Sequence, residues 1–576
     1  MTVGRRTLDP GAAARCAYRT VLEHDAVEPV SVAAAAALDD AVRRRVDAAG
    51  RHRHDVGVAI LALHGPRAVD ARRDVTTTLA ALERDDLDVV VDPMLPPDPV
   101  ARRHGAPSLL VADRRGDATT SWRPVDVHNH LLTDEGAGTL AVTTLGAPWP
   151  SAAVLEEGRR LRKGGVWRRD ALRLAHHHRR LEALGHGGPG ALCGVVDRSG
   201  ALWWLALDAA LDDRGAPLAQ YDARFAERVA LLEATEARAA DPARPRPGAA
   251  WWHRECEECP FAGHCHRTLE VGDDVSLVRF TSAADQALLR AHGVSTRRAL
   301  AALDLGLVAR GAAIDDEPAE PGEPTALSVG RRVRDAERLV RRARVEVAGS
   351  MLRLVDRDAL DAHRRDVEID FDMESYDNAT YLWGALVTVR RETPGVHPGY
   401  RAFAEWGELD ADAEGRLFAR FFGWLAETVG AARAAGRTVG FYCFWEHAER
   451  AQMRRAMDAG VDGLPTEADL RAVLLDPLVD VHRLVTDQIQ TAGPAGLKVV
   501  ASAAGFSWRD DTPSGEASMA WYEAARGGDP AVTKAAVGRI LAYNEDDCLA
   551  TRALRAWLDG PARDLLDVEE ARPADS

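Results

Sequence analysis

The chain has 576 residues, 46% of them hydrophobic and 28% charged, and its formal net charge at pH 7 is −16. This length exceeds what one hydrophobic core can organise and predicts two to four domains of ordinary globular composition. The acidic balance excludes a generally basic coat for nucleic acid, but abundant arginine leaves room for a local basic groove.

The beginning of the sequence, residues 1–16, lacks the apolar stretch of a signal peptide, and no run approaches the length of a membrane span. We therefore expect a cytoplasmic protein with no membrane partner. In a reducing compartment its seven cysteines are expected to be metal ligands or buried thiols rather than disulfides. Lysine is scarce, and the full set is Lys163, Lys498 and Lys534.

The first region, residues 1–272, predicts in chain order a helix at 48–65, strands at 105–111 and 122–130, and a helix at 170–181. This series resembles the PD-(D/E)XK nuclease domain of RecB-like proteins. The resemblance places the family's catalytic positions at His54, Ser108, Asp126, His128, Arg173 and His177.

Most of these positions depart from the family's catalytic residues. Ser108 replaces an aspartate, His128 replaces a lysine, and Arg173 and His177 replace a glutamine and a tyrosine. That lysine stabilises the attacking water and the charge developing on the phosphate, whereas histidine is shorter and mostly neutral at pH 7. We therefore expect an inactive or severely weakened nuclease fold that serves as a nucleic-acid-binding platform.

The histidines of this region raise the question of a metal site. A softer cation such as Mn²⁺ would suit a donor set of His54, Asp126, His128 and His130. The triple histidine at 176–178 is interpreted as a solvated helix face rather than a metal site.

The first region ends in a cysteine-rich segment, WWHRECEECPFAGHCHR. Cys256, Cys259 and Cys265 form a ligand triad that needs a fourth thiolate, and Cys16 is the best candidate. Four thiolates suit either tetrahedral zinc or a [4Fe–4S] cluster. A remote cysteine with a Cys-x2-Cys-x5-Cys triad resembles the iron–sulfur site of RecB-family nucleases, which implies [4Fe–4S], with zinc as the alternative. The remaining cysteines are expected to be buried thiols.

The middle region, residues 273–345, predicts a helical hairpin at 273–304 and a linker rich in Pro, Gly and acids at 314–330. Gly293 would permit the turn of the hairpin, and Ser295 or Thr296 would cap its second helix. The hairpin resembles the one that follows the cluster in RecB-like relatives. Such hairpins either contact phosphates through helix N-termini or serve only in packing.

The third region, residues 350–576, opens with VEIDFDMES at 367–375, in which apolar residues alternate with acids. This is strand periodicity, so Asp372 and Glu374 share one face, about 7 Å apart along the strand. Carboxylates that close repel each other unless a cation lies between them, and oxygen ligands select Mg²⁺ or Mn²⁺. The alternative is an edge strand with a solvated acidic face.

Further strands and helices follow in this region, and Tyr543 and Asp547 near its end lie on one helical face. The predicted elements are strands at 381–389, 400–406 and 438–445 and helices at 413–436, 446–460 and 536–558. The constellation resembles RNase H-like exonucleases of the DEDD superfamily, especially the YprB-type branch and the proofreading domains of family B polymerases.

The DEDD resemblance implies a role for each motif residue. Asp372 and Glu374 match the first motif, Asp547 matches the last metal-binding aspartate, and Tyr543 matches the tyrosine that orients the attacking water. The second motif, normally an aspartate, is matched by Glu446, with Asp480 as a rival.

The sequence thus predicts a multidomain α/β protein with a RecB-like domain at 1–272, a helical hairpin and linker at 273–345, and an RNase H-like (DnaQ-type) mixed sheet at 350–576. Its expected function is that of a nuclease with two Mg²⁺ or Mn²⁺ ions, acting 3′–5′ on single-stranded ends of DNA or RNA. The alternative is an inactive nucleic-acid-binding or scaffold protein of a repair or defence complex. The sequence has no P-loop, so any helicase would be a separate partner.

Overall fold

The structure is a computed structural model, and it describes the chain except for short segments. The described ranges are 5–30, 40–114, 121–313, 323–358, 360–376, 378–511 and 515–572. The chain divides into two compact units, Met1–Thr268 and Leu269–Ser576, called unit 1 and unit 2. No helix within the described ranges is long and apolar enough to cross a membrane.

Unit 1 is built from a large sheet and six described α-helices. Its strands are β1 (Ala68–Asp70), β2 (Val89–Val91), β3 (Leu109–Asp113), β4 (Ser121–Val127), β5 (Thr133–Thr143), β6 (Val154–Leu161), β7 (Leu192–Val196) and β8 (Leu202–Ala206). Its helices are α1 (Ala17–His24), α2 (Asp40–His64), α3 (Val75–Leu82), α4 (Val166–Ala183), α5 (Pro217–Ala240) and α6 (Ala262–Val271), the last of which crosses the boundary at 268.

The strands of unit 1 form an eight-stranded mixed sheet within the described ranges, in the order β1-β2-β3-β4-β7-β8-β5-β6. β4 is antiparallel to β3 and parallel to β7. The predicted helix at 48–65 is the second half of α2, and the predicted strands and the helix at 170–181 are β3, β4 and α4. α4 lies against β4 and β7, so its inward side chains face the end of β4.

Unit 2 contains seven described strands and twelve described α-helices. The strands are β9 (Leu352–Leu354), β10 (Val367–Tyr376), β11 (Ala379–Val389), β12 (Gly399–Ala404), β13 (Val439–Cys443), β14 (Leu478–Asp480) and β15 (Ile489–Thr491). The helices are α7 (Ala283–Ala291), α8 (Arg297–Ala302), α9 (Leu305–Ala312), α10 (Thr325–Arg332), α11 (Ala336–Val347), α12 (Ala411–Ala434), α13 (Glu446–Asp458), α14 (Glu467–Leu470), α15 (Val481–Gln488), α16 (Leu497–Ala503), α17 (Gly515–Ala525) and α18 (Pro530–Asp559).

The main sheet of unit 2 has the order β12-β11-β10-β13-β14, with β10 at its centre. β10 pairs antiparallel with β11 and parallel with β13, which makes the sheet mixed, as expected. The apolar face of β10, with Ile369 and Phe371, packs against α12, where Phe418 and Phe421 belong to the same core. Strand alternation turns the acids of β10 to the opposite face, where α18 lies.

α18 begins six residues earlier than the predicted helix at 536–558. Asp529 caps it by accepting hydrogen bonds from the backbone N–H groups of Ala531 and Val532, and Pro530 occupies its first turn. Asp followed by Pro is a helix start signal, because the carboxylate satisfies free N–H groups and proline has none to satisfy. The helix runs 30 residues, long enough to span the whole acidic face of β10.

The helical hairpin of the middle region is confirmed, and part of the predicted linker is wrong. Thr296 caps α8 through a hydrogen bond from Ala299 N to its Oγ1, and Gly293 has φ +79° in the turn. Residues 325–330, predicted as linker, lie in α10, where Gly330 packs against the Val308 carbonyl of α9. Only a residue without a side chain permits this approach, so the glycine that suggested a loop serves helix packing. Residues 314–322 lie outside the described residues.

Candidate active site

The acidic face of β10 divides into two pairs, and an arginine of α18 neutralises the first pair. Arg555 is fully buried, with guanidinium nitrogens 2.9 Å from Glu368 Oε2 and 2.7 Å from Asp370 Oδ2. The guanidinium also stacks on Tyr442, 3.5 Å from its ring centroid. Glu368 and Asp370 are therefore held as structural ion pairs, which leaves the second pair of acids for chemistry.

The second pair of acids on β10 meets Asp547 of α18. One oxygen from each of Asp372, Glu374 and Asp547 lies within 4.8 Å of the other two. Glu374 and Asp547 are buried and Asp372 is partly buried. In the part of the chain that the structure describes, no other three His, Cys, Asp or Glu side chains bring ligand atoms so close. We call these three residues the acid triad.

Each carboxylate of the acid triad accepts a hydrogen bond from a neutral donor. The bonds are Asn544 Nδ2 to Asp372 Oδ2 at 2.9 Å, Ser518 Oγ to Glu374 Oε2 at 2.7 Å, and Trp508 Nε1 to Asp547 Oδ1 at 2.7 Å. Neutral donors orient the carboxylates without cancelling their charge. The sequence analysis missed all three donors; Asn544, adjacent to Tyr543 in YNEDDC, is the one that the motif could have indicated.

A glycine of β11 allows α18 to approach the acid triad. Gly384 is paired with Asp372 across the two strands. A Cβ at Gly384 would overlap the side-chain oxygen of Asn544 and lie 2.7 Å from Tyr400 Oη. Tyr400 Oη donates to Asn544 Oδ1 at 2.8 Å, which turns the Asn544 amide nitrogen toward Asp372. The orientation of Asp372 thus depends on three neighbouring elements.

The acid triad holds protons more strongly than exposed carboxyl groups do. Burial raises the pKa of Asp372 well above its ordinary value, and neighbouring acids add to the shift. Burial and the charge of Asp547 raise the pKa of Glu374 to about 8. The pKa of Asp547 is also raised by burial, although Lys498 and the Trp508 hydrogen bond oppose the shift. A cation at this position would replace the protons and relieve the repulsion.

Tyr543 is buried one helical turn before Asp547, as the i,i+4 spacing predicts. Its hydroxyl oxygen accepts a hydrogen bond from Lys498 Nζ at 2.7 Å, and its ring meets Trp521 edge-on with centroids 5.7 Å apart. Burial and the nearby carboxylates raise the pKa of Tyr543. The phenol is therefore neutral at pH 7 and able to donate a hydrogen bond.

The structure does not bring Glu446 into the acid triad. Glu446 is the first residue of α13 and forms an ion pair with Arg450 at 2.8 Å. The rival Asp480 caps α15 and accepts a hydrogen bond from Trp445 N at 3.0 Å. Glu449, which the sequence analysis missed, is buried and leaves its Oε2 without a hydrogen-bond partner. Its charge is among those that raise the pKa of Asp372.

The acid triad fits a divalent metal ion. Its three carboxylates are oxygen donors, which Mg²⁺ and Mn²⁺ prefer, and they converge from two elements on one point. Glu449 on α13 has an unpartnered oxygen, and its charge acts on the pKa of Asp372. The charge of Lys498 opposes the upward shifts in the pKa values of Glu374 and Asp547 but does not cancel them, so the site keeps its attraction for a cation.

In unit 1 the four cysteines Cys16, Cys256, Cys259 and Cys265 line one cavity. Cys16 N donates to Glu255 Oε1 at 3.1 Å, which joins the start of α1 to the cysteine-rich segment. No three Sγ atoms lie within 4.8 Å of one another among these described residues.

The other three cysteines are buried thiols, as predicted; these are Cys193, Cys443 and Cys548. Within the cluster, burial raises the pKa of Cys256 to about 12 and that of Cys265 to about 11, and the neighbouring thiols add to both shifts. A bound metal would reverse this preference, because a coordinated thiol is deprotonated.

The six positions that the resemblance placed in unit 1 are only partly brought together. Asp126, on β4, accepts a hydrogen bond from Ser108 N at 3.1 Å. Arg173 and His177 of α4 lie 3.9 and 4.0 Å from Asp126 Oδ2. His128 pairs instead with Asp170 at 3.3 Å, and His130 binds the other oxygen of that carboxylate at 2.9 Å. Asp170 is a further residue that the sequence analysis missed.

His54 is exposed on α2. The interpretation of the triple histidine, in contrast, is wrong. The triple histidine is buried rather than solvated, because α4 packs on both the sheet and α5. His176 contacts the Tyr221 hydroxyl at 3.0 Å, and burial lowers the pKa of His177 to about 4.

Comparison with known protein families gives a finding for the C-terminal part of the chain. Residues 445–559 match a family model, RNase_H_2, described as RNase_H superfamily. The matched segment contains Tyr543 and Asp547 but not β10, whose Asp372 and Glu374 complete the acid triad. No curated protein and no solved structure gives a significant match. The match indicates an RNase H-like domain in this part of the chain, a kind of domain found in nucleic-acid-processing nucleases that use divalent metals.

Proposed function

We propose that this protein is a Mg²⁺- or Mn²⁺-dependent exonuclease that removes nucleotides from the 3′ ends of single-stranded DNA or RNA. The observation that carries the proposal is the acid triad, three carboxylates within 4.8 Å of one another beside the neutral phenol of Tyr543. The match to the RNase_H superfamily supports a nuclease. The resemblance of the motif residues to those of DEDD exonucleases supports exonuclease action.

Asp372, Glu374, Asp547 and a fourth carboxylate would hold two divalent ions, which supply a hydroxide nucleophile and stabilise charge on the transferring phosphate. Asn544, Ser518 and Trp508 fix the direction of the three carboxylates. For the fourth carboxylate the structure favours Glu449 over the predicted Glu446, because its buried oxygen has no partner.

Tyr543 would orient the attacking water by donating its phenolic proton in a hydrogen bond. The neutral phenol retains that proton at working pH, and its oxygen is fixed from the other side by Lys498. An oriented water reacts faster because it is already near its attack position.

Unit 1 is proposed as a RecB-like platform that binds the nucleic acid and carries a [4Fe–4S] cluster on Cys16, Cys256, Cys259 and Cys265. Support comes from the single cavity that the four cysteines line. The altered site at Asp126 and His128 supports binding without cleavage, since a histidine stands where the family has its lysine. Any helicase would be a separate partner.

The test is degradation of end-labelled single-stranded DNA and RNA by purified full-length protein with Mn²⁺. We expect 3′–5′ degradation by the wild-type protein. Asp372→Asn should lower the rate by more than about 100-fold, because loss of even a group that only supports a metal ligand costs about 10- to 100-fold. His128→Ala should degrade the strands at a near-normal rate. Equal activity in wild type and Asp372→Asn would overturn the site. No cleavage by any preparation, with strand binding retained, would instead support an inactive nucleic-acid-binding protein.

A further inference from the structure

Phe280 is exposed on a strained backbone in the loop that precedes α7. Its side chain is 68% exposed, and its φ is +70°, in the left-handed region. A bulky side chain rarely adopts that region, because its Cβ crowds the backbone. Such strain persists where neighbouring groups impose it, and it concentrates at sites that contact ligands.

The neighbours of Phe280 in the chain hold the loop in this conformation. Thr281 Oγ1 donates a hydrogen bond to the Val278 carbonyl at 2.6 Å, and both residues are buried. Ser282 then begins α7 with a capping box. The backbone is therefore fixed on both sides of Phe280, and the exposed ring between them is fixed with it.

The Phe280 ring lies over the guanidinium group of Arg342, whose Cζ is 4.5 Å from the ring centroid. Arg342 is buried on α11, and it donates to the backbone carbonyls of Arg279 at 2.9 Å and Thr491 at 3.4 Å. These acceptors are neutral, so they do not cancel its positive charge. Arg342 thus supports the ring from within the protein and leaves the rest of the ring to solvent.

The surroundings of Phe280 are basic, although the net charge of the protein is −16. Arg279 and Arg338 are exposed, and the charges of both act on Arg342. Burial lowers the pKa of Arg342 only to about 10, so this group is charged at pH 7. Burial raises the pKa of the nearby Glu346 to about 7, so this acid is partly protonated and does not cancel the charges of the arginines.

Arg342 also connects Phe280 with the candidate active site. Its acceptor Thr491 ends β15, and the chain continues from there into α16. Lys498 of α16 contacts Tyr543 beside the acid triad. The exposed ring and the acid triad therefore belong to one connected part of unit 2.

We propose that Phe280, Arg279 and Arg338 form a docking site for single-stranded nucleic acid, in which a nucleobase stacks on the exposed ring and the arginines contact neighbouring phosphates. An aromatic ring among cations suits a single strand, because each base has a π face and each nucleotide has a phosphate. The inference rests on the proposed function and deepens it, since it names a surface outside the acid triad that holds the substrate.

The binding test uses full-length protein without divalent metal and fluorescein-labelled single strands of DNA and RNA. We expect Phe280→Ala to weaken binding by about 5- to 150-fold, the equivalent of about 1–3 kcal/mol for one stacked base. Phe280→Tyr keeps an aromatic ring and should bind like the wild type. Val532→Ala, at an exposed apolar position of α18, is the surface control and should also bind normally.

An abasic strand of equal length separates stacking from charge. It has the phosphates but no bases, so Phe280→Ala should leave its affinity unchanged. Arg338→Gln should weaken both kinds of strand alike and reduce the slope of log affinity against log salt by about 0.7, the value for one phosphate contact on a single strand.

Phe280→Gly separates binding from folding. Glycine adopts φ +70° without strain, so the melting temperature should be at least that of the wild type, while binding is as weak as in Phe280→Ala. Unchanged affinity in Phe280→Ala, or an equal loss on the abasic strand, would overturn the proposal. Binding that depends on Phe280 in a protein without Asp372-dependent cleavage would support the docking site and overturn the proposed exonuclease. Asp372-dependent cleavage with binding independent of Phe280 would do the reverse.

Discussion

At the scale of single residues, the four acids of β10 share one face of the strand but have two different kinds of partner. Glu368 and Asp370 are paired with the buried Arg555, whereas Asp372 and Glu374 receive only neutral donors. A buried acid without a paired cation is costly, so it persists where a ligand supplies the charge. The partner of each acid thus separates the structural carboxylates from the two that are proposed to bind metal.

Glu449→Gln tests the fourth carboxylate at this scale. We expect activity to fall about 10-fold or more, because the amide cannot supply a negative oxygen to a metal ion. The fold should survive, since burial holds the pKa of Glu449 at about 8 and the neutral form is already the preferred one. Nuclease rates and thermal melting measure the two effects.

Glu446→Gln is the matched control for this prediction. It removes the ion pair with the half-exposed Arg450, of a kind that contributes about 0.3–0.5 kcal/mol. A large loss of activity in Glu446→Gln with normal rates in Glu449→Gln would return the role to Glu446.

The raised pKa values predict how metal and pH act together on stability. Burial and Asp547 raise the pKa of Glu374 from 4.5 to about 8, so between these values the folded state binds a proton that the unfolded state has lost. Without metal, this group therefore makes the protein less stable as pH rises through that window. We expect Mg²⁺ to raise the melting temperature more at about pH 8 than at about pH 5.5, where protons compete for the carboxylates.

The variant Asp372→Asn/Glu374→Gln provides the control for the metal effect. With two of the three titrating acids removed, the dependence of the Mg²⁺ effect on pH should largely disappear. An equal Mg²⁺ effect in this variant would place the responsible ion elsewhere in the chain.

The residues of the acid triad were predictable because strand alternation and i,i+4 helix spacing are local patterns. Glu449 was not, because Glu446 and Glu449 lie three residues apart on α13 and only the packed helix decides which one is buried. Ser518 and Trp508 were equally hidden, since neutral donors on separate segments leave no charge pattern.

At the scale of secondary-structure elements, the strands and helices of the sheet in unit 2 follow the predicted order closely. The alternation in β10 and the apolar run of β11 were sufficient to predict both strands, because the burial of each strand follows its sequence pattern. The error in α10 has a different origin. Gly330 suggested a loop, but the close approach of α9 is a tertiary feature that no local pattern contains.

Gly384→Ala tests how closely α18 must approach β11. The new methyl group would overlap Asn544, so we expect a loss of about 1–3 kcal/mol in the free energy of unfolding, typical of overpacking. The nuclease rate should fall even under conditions where the variant stays folded, because Asn544 would no longer hold Asp372. Denaturant unfolding and nuclease rates measure the two effects.

Gly423→Ala is the control for this substitution. Gly423 is exposed on α12 with no atom within 4 Å of a new Cβ, so alanine should be neutral or stabilising by about 0.5–1 kcal/mol. A Gly384→Ala protein with normal stability and activity would show that α18 can move outward without harm.

At the scale of the whole molecule, the cysteine cluster joins the two ends of unit 1. Protein purified without oxygen should contain about four irons per chain, and Cys16→Ser should lose them. Because Cys16 is 240 residues from Cys256, we expect its loss to release a long loop and to expose unit 1 to limited proteolysis. Mass spectrometry of the fragments locates the cuts.

Mn²⁺ binding at the acid triad is the internal control, since Asp372 and Asp547 belong to unit 2 and should retain their affinity in Cys16→Ser. Colourless protein with one zinc per chain would refute the iron assignment and retain the structural role. An intact cluster with normal protease resistance in Cys16→Ser would refute both the assignment of Cys16 as a cluster ligand and its structural role.

If the protein is the proposed nuclease, the position of Asp547 on α18 also sets when it can first act during its own synthesis. Asp372 and Glu374 leave the ribosome about 170 residues before Asp547, given their places in the sequence. A nascent chain that ends before α18 has two acids and no Tyr543, so it lacks the complete acid triad. The chain would therefore lack the proposed cutting site beside the messenger RNA and the nascent transcript until α18 has been translated.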